Sequence, residues 1–361
     1  MIRLVEPYIA FDEVIDDFRD VFASGLFTRG RNVDGFCQEI AAYTGADHVF
    51  TVTSATTALW TCLKLLGIGP GDEVIVSDFS FPASANVVED LGATSVLADV
   101  SLDTFNMLPE ELERKITPNT KAVMFVDALG NPSGVHQISD ICREHNLPLI
   151  EDAACAIGSS ENGERCGSIA DLTCFSFHPR KLINTGEGGA ITTNDPDQAD
   201  WLRTKLAHGA SGMSGPGLDF VEFGYNFRLS ELQAIMGRKQ LAKLDEIVER
   251  RNLIRQAYDG ALRPLGFAPQ ALGNAVVHNV QSMVLRVPDG WNRNALIAHL
   301  KETGVESTLG TYAMSNLRYF RTRYCDVQPN SQRLMDTTIT LPCFDGLNVD
   351  QVISRIAAFR S

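Results

Sequence analysis

His48-Val49-Phe50-Thr51-Val52-Thr53 is a β-branched run, and Ser54-Ala55-Thr56-Thr57 follows it without a break. Apolar side chains then recur at 55, 58, 59, 62, 63 and 66, which predicts a helix over Ala55–Leu66. Gly67-Ile68-Gly69-Pro70-Gly71-Asp72 is a turn. A strand at Glu73–Ser77 and a helix at Pro82–Leu91 come next. Further strands are expected at Ser95–Ala98, Ala122–Val126 and Leu147–Glu151, with a helix at Gln137–Glu144 between the last two. Strands alternating with helices imply right-handed crossovers and a mainly parallel sheet covered on both faces. The fold class is therefore α/β.

Downstream of Asp152 the pattern loosens. Leu172–Phe177 and Gly189–Thr193 read as strands, and Pro196–Ala207 as a helix. Gly209–Gly224 is too polar and Gly-rich for a core element and reads as a loop. One long helix is expected from Ser230, a plausible N-cap, to Leu262. Beyond Pro264 a smaller α+β unit follows. Its strands are expected at Val276–Val287 and Thr338–Leu341, and its helices at Arg293–Thr303 and Val349–Ala358. The expected division is a large domain over 1–245 and a small one over 246–361.

Composition narrows the functional classes. The 361 residues are 44% hydrophobic and 21% charged, which argues against a disordered or fibrous chain. Lys and Arg number 31 against 45 Asp and Glu, a net charge of −14 that disfavours nucleic acid and anionic membranes as partners. No apolar run has membrane-spanning length. The first residues lack a signal-peptide pattern. None of the eight cysteines forms a Cys-x-x-Cys pair, and no Cys/His set has zinc-ligand spacing, so no metal is expected. Eight such thiols point to a reducing compartment and a cytoplasmic location.

Three stretches carry chemistry. The helix start at Ser54-Ala55-Thr56 offers free N–H groups and the positive end of a dipole, suited to phosphate, although such a run alone is more often an ordinary N-cap. Ile150-Glu151-Asp152 ends an apolar strand where open α/β sheets bind ligands. An acid there suits a pyridinium nitrogen, a metal or a ribose. Ser176-Phe177-His178-Pro179-Arg180-Lys181 ends another strand and leads into Asn184-Thr185-Gly186-Glu187-Gly188-Gly189. A lone Lys is usually a solvated charge. Phosphate cup, strand-end Asp and strand-end Lys in that order match what pyridoxal phosphate needs.

With these motifs, the chain resembles the DegT-like nucleotide-sugar aminotransferases, which are fold type I pyridoxal-phosphate transferases. Ser24-Gly25-Leu26-Phe27-Thr28-Arg29-Gly30, Glu151-Asp152-Ala153-Ala154 and Gly224-Tyr225-Asn226-Phe227-Arg228-Leu229-Ser230 carry the resemblance as well, and it covers nearly the whole chain. The resemblance implies that Lys181 bears the cofactor pyridoxal 5′-phosphate and moves the proton, and that Asp152 holds the pyridine nitrogen. It places Phe81 against the ring, and Ser54, Ala55, Thr56 and Ser176 around the phosphate. Asn226 would reach the phosphate of a neighbouring subunit, implying a homodimer with shared sites. Ser54-Ala55-Thr56 stands where the family usually has Asn-Gly-Thr, and Cys155 where it often has Gln or His beside the phenolic oxygen. Thr28, His178, Arg180, Arg228, Tyr312 and Arg321 are candidates for substrate contact.

The implied partners are a nucleotide-linked keto-sugar and L-glutamate, in amino-sugar synthesis for a surface polysaccharide or a glycosylated metabolite. The alternatives are a cofactor-binding regulator without turnover and a fold type I enzyme acting on a free amino acid. Two features have competing structural readings. His178 is equally a strand-end structural residue. Arg318-Tyr319-Phe320-Arg321-Thr322-Arg323-Tyr324 is either a solvated helix face or a contact for a nucleotide diphosphate. Because every proposed ligand is anionic, Lys181, Arg180, Arg228, the Ala55 helix start and Arg318–Arg323 are expected to gather in one place.

Overall fold

The computed structural model describes residues 1–359. Its central sheet has seven strands, numbered here in chain order: β1 (His48–Val52), β2 (Glu73–Ser77), β3 (Thr94–Ala98), β4 (Thr120–Val126), β5 (Leu149–Asp152), β6 (Leu172–Ser176) and β7 (Gly189–Thr193). Their spatial order is β1-β7-β6-β5-β4-β2-β3. Only β7 runs antiparallel to its neighbours. Strands β6 and β7 are buried at every position, as expected for a sheet covered on both faces. One face packs Leu59, Leu63, Val76, Met124 and Ile150. Elsewhere Phe36, Ile40, Phe175 and Phe177 form a second core with the helix Arg31–Thr44.

The C-terminal unit is an antiparallel sheet of Ala268–Pro269, Met283–Arg286, Thr338–Leu341 and Thr308–Leu309. Helices Arg293–Glu302 and Val349–Ala357 supply Leu296, Leu300, Val352 and Ile356 to its core. The helix Leu244–Leu262 joins both units: Leu244, Ile247 and Val248 enter the Phe36 core, and Tyr258 and Leu262 the C-terminal one. At the other end of the chain, Ile2 bridges to Val305 and packs on the C-terminal core.

Three expected elements differ. The long helix is two, Glu231–Leu241 and Leu244–Leu262, because Lys243 leaves helical geometry with ψ near 3°. Gly209–Gly224 is not a structureless loop but a hairpin of Ala210–Ser214 and Gly217–Phe220. It escaped notice because it is almost wholly exposed and shows no alternation of burial. Val276–Val287 is not one strand: Val276–Val277 and Met283–Arg286 are separated by Val280 at φ +53°. No described helix is long and apolar enough to cross a membrane.

Candidate active site

Strands β5 and β6 run parallel and deliver Asp152 and Ser176 to the same edge of the sheet. Asp152 is buried. It accepts a hydrogen bond from Ser84 Oγ at 2.7 Å and one from the Ala154 N–H at 3.2 Å. Burial pushes its carboxyl above the usual carboxylate range, while those donors and the charge of Lys181 pull it back. Ser84 lies in the first turn of the helix Ala83–Asp90. Its role was not foreseen; the one signal was its place just after Phe81-Pro82.

Lys181 sits in the turn after β6, where its N–H bonds to the His178 carbonyl at 2.8 Å. Its Nζ donates to Cys155 Sγ at 3.0 Å. Two adjoining hollows of about 240 and about 70 Å3 share Phe81, Leu129, Cys155, Lys181 and Thr311 in their walls. Arg180 and Tyr312 line the larger and Asp152 the smaller. Phe81 is 65% exposed although aromatic, and its ring meets Tyr312 edge-on at 6.4 Å. A larger open groove of about 850 Å3, walled by Tyr43, Arg238 and Asp245, includes none of these residues.

The helix Ala55–Leu65 begins beside this group. Ser54 caps it by accepting from Thr57 N at 3.2 Å, and Ala58 N bonds back to Ser54 O. The first two helical N–H groups, those of Ala55 and Thr56, thus have no intrahelical partner. Gly189 pairs in register with Val52 on one side and Ser176 on the other. A Cβ on Gly189 would stand 2.6 Å from the Ser54 carbonyl carbon and 2.8 Å from Ala55 N. Glycine therefore lets the helix start and Ser176 close into one cradle.

The donor set fits pyridoxal phosphate. A buried carboxylate with no cation in contact suits a protonated ring nitrogen. An amine within the cavity suits covalent attachment, and helix-start N–H groups with a serine hydroxyl suit a phosphate.

A profile of the DegT/DnrJ/EryC1/StrS aminotransferase family matches residues 10–360. The chain belongs to this family. It is an aminotransferase that works with pyridoxal 5′-phosphate. The spore coat polysaccharide biosynthesis protein SpsC of Bacillus subtilis is 34% identical over 377 aligned positions, covering 98% of this chain and 95% of that protein. GDP-perosamine synthase of Caulobacter vibrioides is 38% identical over 288, covering 77% and 76%. The PLP form of the putative sugar aminotransferase Spr1654 of Streptococcus pneumoniae superposes with a TM-score of 0.91 at 28% identity, covering 97% of this chain and 96% of that one.

Several expected site residues stand away from Lys181. Thr28 pairs with Ser230, and Asn226 and Arg228 lie in the segment just before it, so these three form a separate group. Arg228 Nε has no hydrogen-bond partner, and burial and the nearby charge of Arg29 lower its pKa. His178 does not line either hollow. Its Nδ1 accepts the Arg180 N–H at 3.2 Å, and its pKa is lowered by burial first and by the Lys181 and Arg180 charges after. It thus shapes the turn that presents Lys181. Arg321 lies on the helix Arg318–Tyr324 and contacts Asn316 at 3.3 Å. On the same helix Arg323 Nε pairs with Glu89 at 2.9 Å, and Tyr324 also bonds Glu89.

The expected single gathering of cations is therefore corrected. Lys181 and Arg180 share the cavity, Arg228 and Arg29 lie together elsewhere, and Arg323 is spent on Glu89.

Proposed function

We propose that this aminotransferase moves an amino group from L-glutamate to the ketone of a nucleotide-linked sugar, in the cytoplasm, for an amino sugar of a surface polysaccharide or glycosylated metabolite. The observation that carries the reading is the convergence of Lys181, Asp152, Phe81 and Tyr312 on two adjoining hollows, in a chain akin to SpsC and GDP-perosamine synthase.

Bound there, pyridoxal phosphate supplies the electron sink through which an amine is exchanged for a carbonyl oxygen. Lys181 Nζ holds the cofactor and carries the proton between donor carbon and cofactor. Asp152 keeps the ring nitrogen protonated, and Ser84 keeps Asp152 ionised and aimed. Phe81 covers one ring face. Ser54, Ala55, Thr56 and Ser176 receive the phosphate. Cys155 stands beside Lys181, where a thiol is a weaker hydrogen-bond partner than an amide or imidazole. Tyr312 and Arg180 face the substrate side.

Asn226 completes the phosphate site of a second copy. Three features support that homodimer. Asn226 is exposed and lies outside the Lys181 cavity, beside Thr28 and Arg228. Phe220, Phe223 and Met213 on and beside the hairpin are each more than 60% exposed. An exposed apolar surface of this kind marks a protein interface. The large domain is taken as 1–245 and the small as 246–361, with the cavity between them.

The test is a panel of nucleotide-linked 4-keto- and 3-keto-sugars incubated with 15N-labelled L-glutamate. Label is expected in one amino sugar, with 2-oxoglutarate released in equal amount. Label that stays in glutamate with every acceptor contradicts the proposal and favours the regulator reading.

A further inference from the structure

We infer that Gln281 and Asn279 are positioning residues that hold the Lys181 and Cys155 loops in register, so that the small unit sets the geometry of the working lysine. This rests on the reading above that Lys181 bears the cofactor.

The segment His278–Gln281 crosses from the C-terminal unit to the wall of the larger hollow, which Gln281 lines, and is almost fully buried. Gln281 grips the chain on both sides of Lys181: its Oε1 accepts the Leu182 N–H at 3.0 Å, and its Nε2 donates to the Arg180 carbonyl at 2.6 Å. Asn279 does the same for the other wall. Its Nδ2 donates to the Cys155 and Ile157 carbonyls, each at 2.8 Å. Its Oδ1 accepts the Gln281 N–H at 2.8 Å, which makes the two side chains one unit. Ser159 Oγ receives the Asn279 N–H at 3.0 Å and donates to Gly130 O at 2.6 Å. His278 Nε2 meets Leu129 O at 3.3 Å.

The backbone pays a conformational cost to make these contacts. Val280 is β-branched yet sits at φ +53°, and Leu129, a wall of the cavity, sits at φ +62°. Such conformations persist where the surroundings over-determine them, and they cluster at functional sites. Here Arg251 supplies the constraint. Its Nε donates to Val280 O at 2.7 Å and its Nη2 to Gln281 O at 3.0 Å. The strap is therefore fixed from the C-terminal unit, and its polar side chains end on the two loops that must place an amine and a thiol 3.0 Å apart.

Misplacement of a reacting group by about 1 Å costs up to about a hundredfold in rate. Gln281→Met keeps the volume of the side chain and removes both hydrogen bonds. It is expected to lower kcat about tenfold or more, with KM for donor and acceptor within about twofold. The rate at which apoenzyme captures pyridoxal phosphate on Lys181, read by borohydride trapping and peptide mass, should fall in parallel. Gln281→Glu keeps the acceptor for the Leu182 N–H and should lie between wild type and Gln281→Met. Ile353→Ala, which loosens the C-terminal core without removing any hydrogen bond of Gln281 or Asn279, serves as the stability control and should leave both rates unchanged.

The inference is overturned if Gln281→Met matches wild type in kcat and in capture rate. It is also overturned if Ile353→Ala at an equal loss of Tm shows the same decline. Failure of wild type to capture the cofactor on Lys181 would instead remove the reading on which the inference rests, and the inference with it.

Discussion

Asp127 lines the smaller hollow with Asp152; it and Glu151 are fully buried, and neither Asp127 oxygen has a hydrogen-bond donor. Glu151 Oε2 accepts from Thr173 at 2.7 Å and from the Gly167 N–H at 3.2 Å, while its Oε1 has no donor. One atom from each acid and Cys166 Sγ lie within 4.8 Å of one another. Burial raises the pKa of both acids, and the Glu151 charge raises that of Asp127 further. The sign of the pH effect follows. A raised folded pKa contributes stability that is present below the ordinary carboxylate range, about 4, and is lost as pH rises through the folded value. Asp127→Asn removes one of these two crowded buried carboxyls. We predict that its stability relative to wild type grows as pH rises above about 4, read as a Tm difference that widens with pH. A Tm difference that narrows with pH would contradict this. At this scale the strand-end Asp152 and Lys181 were legible, because sheet topology alone places strand ends together. Ser84, Asn279 and Gln281 were not. Their contacts span 68, 124 and 99 residues, and no local pattern encodes such a pairing.

Among the elements, the cradle depends on one close approach. A Cβ added at Gly189 would meet three backbone atoms, including Phe175 O at 2.7 Å, and backbone cannot yield as a side-chain tip does. Gly189→Ala therefore forces β7 away from the Ala55 helix start. We expect a loss of about 1–3 kcal/mol in stability and a weaker Kd for pyridoxal phosphate, read by thermal melting and cofactor titration. An unchanged Kd would show that the helix start does not hold the phosphate. The Gly209–Gly224 hairpin shows why some elements escaped the sequence. Its neck is pinched by Gly209 against Gly224, and Lys205 anchors it through Glu222 at 2.7 Å and the Phe223 carbonyl at 3.0 Å. Nothing in its polar, Gly-rich strands signals burial, because there is none. The break of the long helix at Lys243 was hidden for the opposite reason: apolar residues continue on both sides of it.

For the molecule as a whole, alternating strands and helices were sufficient to foresee the parallel sheet, since a covered sheet demands continuous apolar strands. The small unit was legible as α+β, but its strap was not, because Val276–Val287 has the composition of a strand and the geometry of a clamp. A net charge of −14 proved a poor guide to the cavity, whose walls include Lys181, Arg180 and Arg251, while Arg323 pairs with Glu89. The proposed function requires that Lys181 bear the cofactor. Borohydride reduction of the wild-type protein with pyridoxal phosphate, followed by peptide mapping, tests it most directly. The predicted result is a single phosphopyridoxyl adduct on Lys181. An adduct on a different lysine, or none, would contradict it.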